Sequence, residues 1–139
     1  MTPRARIALA WAPALLYMAL IWVMSSISHI DLPVGSFPLA DKGVHAVEYC
    51  FLAVLVAYAV RQTFPERHLA RTATVSVLIV VSWGVLDELH QAFVPGRSSD
   101  VLDIVADAVG GSVGVALHGA LHSATKLLRA RARATTQAR

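Results

Sequence analysis

Apolar and polar residues fall along this chain in long blocks, not in short periods. Four apolar blocks run from about Ile7 to Met24, Val44 to Val60, Ala73 to Val94 and Val101 to Leu121. Three polar stretches separate them: "SSISHIDLPVGSFPLADKG", "RQTFPERHLAR" and "PGRSSD". Pro and Gly recur in these separators, and each ends a helix for a local reason: Pro removes a backbone donor, and Gly relaxes the backbone. A helix needs ~20 mainly apolar residues to cross a hydrocarbon core, and the blocks are close to that length. They lack the apolar/polar alternation of transmembrane barrel strands. Helices are then the structure that satisfies every backbone polar group in lipid. The pattern predicts an all-α integral membrane protein, a bundle of four transmembrane helices forming one domain over residues 1–139. Residues 122–139, ending in "KLLRARARATTQAR", read as a basic cytoplasmic tail, a helix end that frays.

Composition supports that solvent. The chain is 56% hydrophobic and 15% charged, with a mean hydropathy of +0.59, whereas a soluble domain carries about 25% charged residues. Cys50 is the only cysteine, which excludes an internal disulfide and a multi-thiolate metal site. A cleaved secretory signal is the competing reading of the first block. Its apolar run exceeds the ~7–15 residues of a signal core and no A-x-A-like site follows, so a retained span is expected.

Charge sets an expected orientation. Apart from Lys42 and Arg97, every Lys and Arg flanks the ends that would share one side of the membrane: Arg4 and Arg6, Arg61, Arg67 and Arg71, then Lys126, Arg129, Arg131, Arg133 and Arg139. The positive-inside bias makes that side cytoplasmic. A multi-pass protein of the bacterial inner membrane, with both termini cytoplasmic, is the expectation. The basic tail reads as a topology signal, with membrane lipid as a partner and no nucleic acid.

The acids are harder to accommodate. In the second block Asp41, His45, Glu48 and Tyr49 are spaced i, i+4, i+7, i+8, on one helical face. In the fourth, Asp100, Asp103 and Asp107 form a narrow stripe continued by Gly111, Gly114, His118 and His122. The third holds Asp87, Glu88, His90 and Gln91. Glu48, Asp87 and Asp107 each lie seven residues, ~10 Å, from the outer end of their helix. Facing lipid would cost ~2.5–3.5 kcal/mol per charged residue. The acids should therefore converge on a common cavity open to the outside. Gly110 and Gly114 form a small-xxx-small pair suited to close helix approach.

With "DKGVHAVEY", "DELHQAFVPGR" and "DIVADAVGGSVG" in this order, the chain resembles the VanZ-like family of small bacterial membrane proteins. Its pattern reads approximately D-K-x-x-H-x-x-E-Y, D-E-x-x-Q-x-x-x-P-x-R and D-x-x-x-N-x-x-G-x-x-x-G. The matching positions are Asp41, Lys42, His45, Glu48, Tyr49, Asp87, Glu88, Gln91, Pro95, Arg97, Asp103, Gly110 and Gly114. Asp107 departs from it, standing where many members have Asn. The family's name member is associated with low-level resistance to teicoplanin, a lipid-tailed glycopeptide acting outside the cell on wall precursors. The resemblance thus implies a cell-envelope protein that binds or acts on a lipid-linked or lipidated ligand at the outer face.

The expected ligand-binding set is Asp41, Lys42, His45, Glu48, Tyr49, Asp87, Glu88, Gln91, Arg97, Asp103 and Asp107. In a binding module, Arg97 and Lys42 would hold an anionic head group such as a phosphate. The alternative is a membrane-embedded, metal-assisted hydrolase or transferase. In it Asp, Glu and His side chains serve as ligands of a divalent metal and as acid/base groups, with His45, Glu48, Asp87 and Glu88 the catalytic candidates. No H-E-x-x-H, G-x-S-x-G or phosphate-cradling glycine loop supports it. A purely structural network would clamp Arg97 between Asp103 and Glu88 and pair Lys42 with Asp41. Trp11, Tyr17, Trp22 and Trp83 read as packing or interface groups, Cys50 as packing, and His29 and His68 as loop residues.

Overall fold

The computed structural model describes residues 1–28, 40–65 and 68–137. His29, Glu66, Arg67 and Arg139 lie outside that set. Four helices follow in order: α1 (Pro3–Ser25), α2 (Ala40–Thr63), α3 (Leu69–Gln91) and α4 (Val101–Gln137). Each is long and apolar enough to cross a membrane, and the chain is a multi-pass membrane protein.

Local chemistry sets the helix ends. The Thr2 side chain accepts from the Ala5 N–H at 3.3 Å and Pro3 follows at the first helical position, where its missing donor costs nothing. Between α3 and α4, the Arg97 N–H donates to the Val94 carbonyl at 3.1 Å. Pro95 and Gly96 are the central residues of this turn, with Gly96 at φ 81°. That is the arrangement of a type II turn, whose third position favours glycine. The α4 N-cap is Asp100, whose Oδ1 accepts from the Leu102 N–H at 2.9 Å, satisfying one of the orphan donors of the first turn.

The packing order explains the burial. α2 touches the other three helices, most extensively α4, which also packs on α3; α1 packs on α2 and more lightly on α3. α2 accordingly supplies most of the core, with Tyr49, Leu52, Ala53, Val56, Ala57 and Val60 buried. The closest approach is between α2 and α4. A Cβ at Gly110 would collide with the Ala46 carbonyl, and one at Gly114 with the Cys50 carbonyl, so the small-xxx-small pair lets the α4 backbone rest on α2. Leu9, Leu16, Leu20, Leu78, Leu86, Val105 and Val109 are exposed on the flanks. In a bilayer they contact lipid tails.

α4 has 37 residues, ~55 Å at 1.5 Å per residue, against ~35 Å for the 23 residues of α1 or α3. It continues as one helix through the basic segment, exposed from Ser123 onward. That segment contains neither Gly nor Pro and is rich in Ala, Leu and Arg, all strong helix formers.

Candidate functional site

Polar side chains gather at the end of the bundle where α2 and α4 begin and where α1 and α3 end. Asp87, Glu88, Gln91, Asp103 and Asp107 are all buried there. Buried polar groups need partners, and each of these five side chains has at least one, although Glu88 Oε1 and Asp107 Oδ2 are left without one.

Lys42 organises the α2–α4 side. Its Nζ stands 3.0 Å from Asp41 Oδ2, 2.7 Å from Asp100 Oδ2 and 2.7 Å from Asp103 Oδ1. The ammonium thereby joins the first turns of both helices. Outside the spans, its hydrogen bond holds the Asp100 carboxyl below the usual carboxylate range. Glu88 approaches from α3, its Oε2 accepting the Asp100 N–H at 2.8 Å, while its Oε1 is buried without a hydrogen-bond partner.

One turn deeper, His45 Nδ1 and Asp107 Oδ1 are 3.0 Å apart. Asp107 is 1% exposed. It fits because α3 carries Gly84 opposite: a Cβ there would lie 2.7 Å from Asp107 Oδ2 and 3.2 Å from the Tyr49 ring. The Tyr49 ring lies nearly parallel to that of His45 at 6.5 Å, with its hydroxyl buried and unbonded.

The α1 side of α2 holds a cleft of about 160 Å³. Ile21, Met24 and Val44 give it apolar walls; Asp41, His45, Glu48, Asp87, Gln91 and Arg97 give it polar ones. Asp87 is held by neutral donors, Ser25 Oγ at 2.5 Å and Gln91 Nε2 at 2.9 Å. The Glu48 carboxylate accepts no hydrogen bond from the described residues and is half-buried. Arg97 donates through Nε to the Ile27 carbonyl at 3.1 Å and through Nη2 to the Met24 carbonyl at 2.9 Å, closing the end of α1.

The sequence-derived set therefore comes together at one end of the bundle, with two differences from expectation. Asp107 does not share the cleft with Glu48 and Asp87; it lies behind His45 against Gly84. Nor is Arg97 clamped between Asp103 and Glu88, the arrangement that a purely structural network would use. The Pro95–Gly96 turn sends its guanidinium to the Met24 and Ile27 carbonyls at the end of α1, and Lys42 serves Asp103 instead. Lys42 does pair with Asp41.

Three contributors escape a reading of the chain by motif. Ser25 lies at the end of the first apolar block, and only its level, near the end of α3, hints that it could reach Asp87. Gly84, three residues before Asp87, makes room for Asp107. Asp100 stands in the acidic stripe but acts as N-cap and Lys42 partner. Beyond the cluster, Trp22 stacks on His90 at 4.1 Å and lies 5.6 Å from Trp83, Trp11 Nε1 donates to Thr63 at 2.9 Å, and Tyr17 meets Phe51 edge-on at 5.0 Å. These aromatics are helix-packing groups.

A metal could draw on this cluster. His45, Glu88 and Asp103 each offer a ligand atom, and these atoms lie within 4.8 Å of one another.

No curated protein and no solved structure matches the chain. The VanZ/LLP1 family model matches residues 5–122, which takes in all four apolar blocks and the whole polar cluster. With its three motifs meeting at one end of a four-helix bundle, the chain belongs to the VanZ/LLP1 family.

Proposed function

We propose that this protein serves the cell envelope by binding, or acting on, the polar head of a lipid-linked or lipidated ligand, which it receives at the outer face of the membrane in the cleft between α1, α2 and α3. The observation that carries this reading is the pairing of surfaces in that cleft: Ile21, Met24 and Val44 beside Glu48, Asp87 and Gln91. Such a mixture suits a molecule with a polar head and an apolar tail. The exposed apolar flanks of α1 and α2, including Leu20, Val47 and Phe51, continue the apolar wall toward lipid. The placement of basic residues supports an outward-facing cleft and cytoplasmic termini.

The geometry favours a donor-rich head group over a phosphate. Lys42 is engaged by three carboxylates and Arg97 by backbone carbonyls. Glu48 is the wall group with unused acceptor capacity. An amine, amide or hydroxyl would meet it by a charge-assisted hydrogen bond, and an anion would meet repulsion. The experiment measures binding of teicoplanin and of its deacylated core to the protein in lipid nanodiscs. The reading expects the lipidated molecule to bind more tightly, and Glu48→Gln to weaken it about tenfold, the ~1.4 kcal/mol scale of one charged hydrogen bond. Equal binding of both molecules, unaffected by Glu48→Gln, would remove this class of ligand.

A further inference from the structure

We infer that His45, Glu88 and Asp103 form a site for one first-row divalent metal ion, of the Zn²⁺ or Mn²⁺ class, with Asp107 as the positioning residue for His45. The site shares His45 with the wall of the cleft but does not depend on which ligand the cleft takes.

The first support is charge. Asp87, Glu88, Asp103 and Asp107 are buried together, and Lys42 is the only fixed cation among the described residues that pairs with any of them. Arg97, the other cation at this end, is turned to the carbonyls of α1. Buried carboxylates without matching cations must protonate, hydrate or hold a metal ion.

The second support is an unused ligand atom. Glu88 is 1% exposed, its Oε2 is taken by the Asp100 N–H, and its Oε1 has no hydrogen-bond partner. A buried carboxylate oxygen left bare is costly. This one belongs to a residue whose ligand atom falls within 4.8 Å of those of His45 and Asp103. A tetrahedral ion with bonds of ~2.0–2.1 Å has ligand-to-ligand edges of about 3.3 Å. Ligand atoms at the 4.8 Å limit would have to close by about 1.5 Å to reach that edge.

The third support is orientation. Metal-bound histidines commonly donate their second ring nitrogen to a carboxylate, which fixes the ring and raises its basicity. Asp107 Oδ1 stands 3.0 Å from His45 Nδ1, so the proposed ion would be held through Nε2. One imidazole with two carboxylates suits Zn²⁺ or Mn²⁺ better than the oxygen-seeking Mg²⁺ and Ca²⁺. Three protein ligands also leave a fourth position open, the arrangement of a metal that takes water or substrate. As Asp103 turns toward the ion, Lys42 keeps Asp41 and Asp100.

The test uses the full chain without a histidine tag, in nanodiscs, with His118 and His122 replaced by Gln so that the histidines at the opposite end bind nothing. Chelator-stripped protein is titrated with Zn²⁺ and with Mn²⁺, and bound metal is counted by elemental analysis. One equivalent per chain is expected. His45→Gln, Glu88→Gln and Asp103→Asn should each lose it, and Asp107→Asn should weaken it about 10–100-fold, the usual effect of removing the partner of a ligating histidine. For any variant that fails to fold, the Mn²⁺-loaded unsubstituted site gives the answer by pulsed electron paramagnetic resonance: coupling to one imidazole nitrogen supports the assignment. Less than stoichiometric metal, absence of that coupling, or full metal retention in folded Glu88→Gln and Asp103→Asn would overturn it.

Discussion

Replacing Gly114 should separate α2 from α4, and the structure sets the scale. A Cβ at this position would lie 2.8 Å from the Ala53 Cβ and 2.9 Å from the carbonyl carbon of Cys50. Carbon atoms rest at ~3.5–4.0 Å. The Ala53 methyl cannot retreat without its backbone, and the Cys50 carbonyl is the α2 backbone itself, so the helices must part by about 1 Å. That gap opens in the most extensive interface of the bundle, where Ala53, Val56 and Val115 are packed. Overpacking of this kind costs ~1–3 kcal/mol. Gly114→Ala should therefore lose about 2 kcal/mol, and Gly114→Leu at least the upper end of that range. Gly43 supplies an internal contrast: a Cβ there meets nothing within 4 Å. Gly43→Ala should be neutral or stabilising by up to ~1 kcal/mol, as expected when a helical glycine gains a methyl at no steric cost. The assay is unfolding in mixed micelles by increasing fraction of sodium dodecyl sulfate, followed by fluorescence of Trp11, Trp22 and Trp83. A Gly114→Ala transition within about 0.5 kcal/mol of the unsubstituted protein, the range of an inconsequential surface change, would refute the close backbone approach.

Two further outcomes follow from the placement of charge. In a Cys50→Ser background, Ser99→Cys, in the exposed α3–α4 turn, should react with a membrane-impermeant thiol reagent on intact spheroplasts, and Ala132→Cys should not; the reverse labelling would invert the proposed orientation. Arg97→Gln should fold and lose only about 1 kcal/mol, because the two carbonyls it leaves at the end of α1 remain within reach of water. A failure to fold, or a loss of ~3–5 kcal/mol, would show that Arg97 neutralises buried acids after all.

Much of this was legible in the chain because lipid leaves few choices. The apolar blocks mark the spans, and the i, i+4, i+7, i+8 spacing of Asp41, His45, Glu48 and Tyr49 places them on one face. Asp103 and Asp107 of the acidic stripe likewise turn inward, and the Gly110/Gly114 pair rests on α2. Side-chain direction was less accessible. Arg97 reaches carbonyls at Met24 and Ile27, some seventy residues away in sequence, and backbone carbonyls at a helix end leave no mark in an amino-acid string. Ser25 is one of several serines near its helix end until α3 brings Asp87 beside it. The cluster's division into a cleft with Glu48 and a buried pair with Asp107 depends on which side of α2 each ring and carboxylate leans. Residue spacing fixes that only to within a helical quadrant.

Filling the cleft without altering its charges tests whether the proposed lipidic head group enters between α1, α2 and α3. Val44 lines it, and Val44→Trp places an indole in the space. Unsubstituted protein and variant are extracted with their native lipids and compared by native mass spectrometry, with melting as a check on folding. One retained lipidic adduct per chain is expected in the unsubstituted protein and none in a normally melting Val44→Trp. The same adducts on both, or no adduct on either, would contradict that proposal.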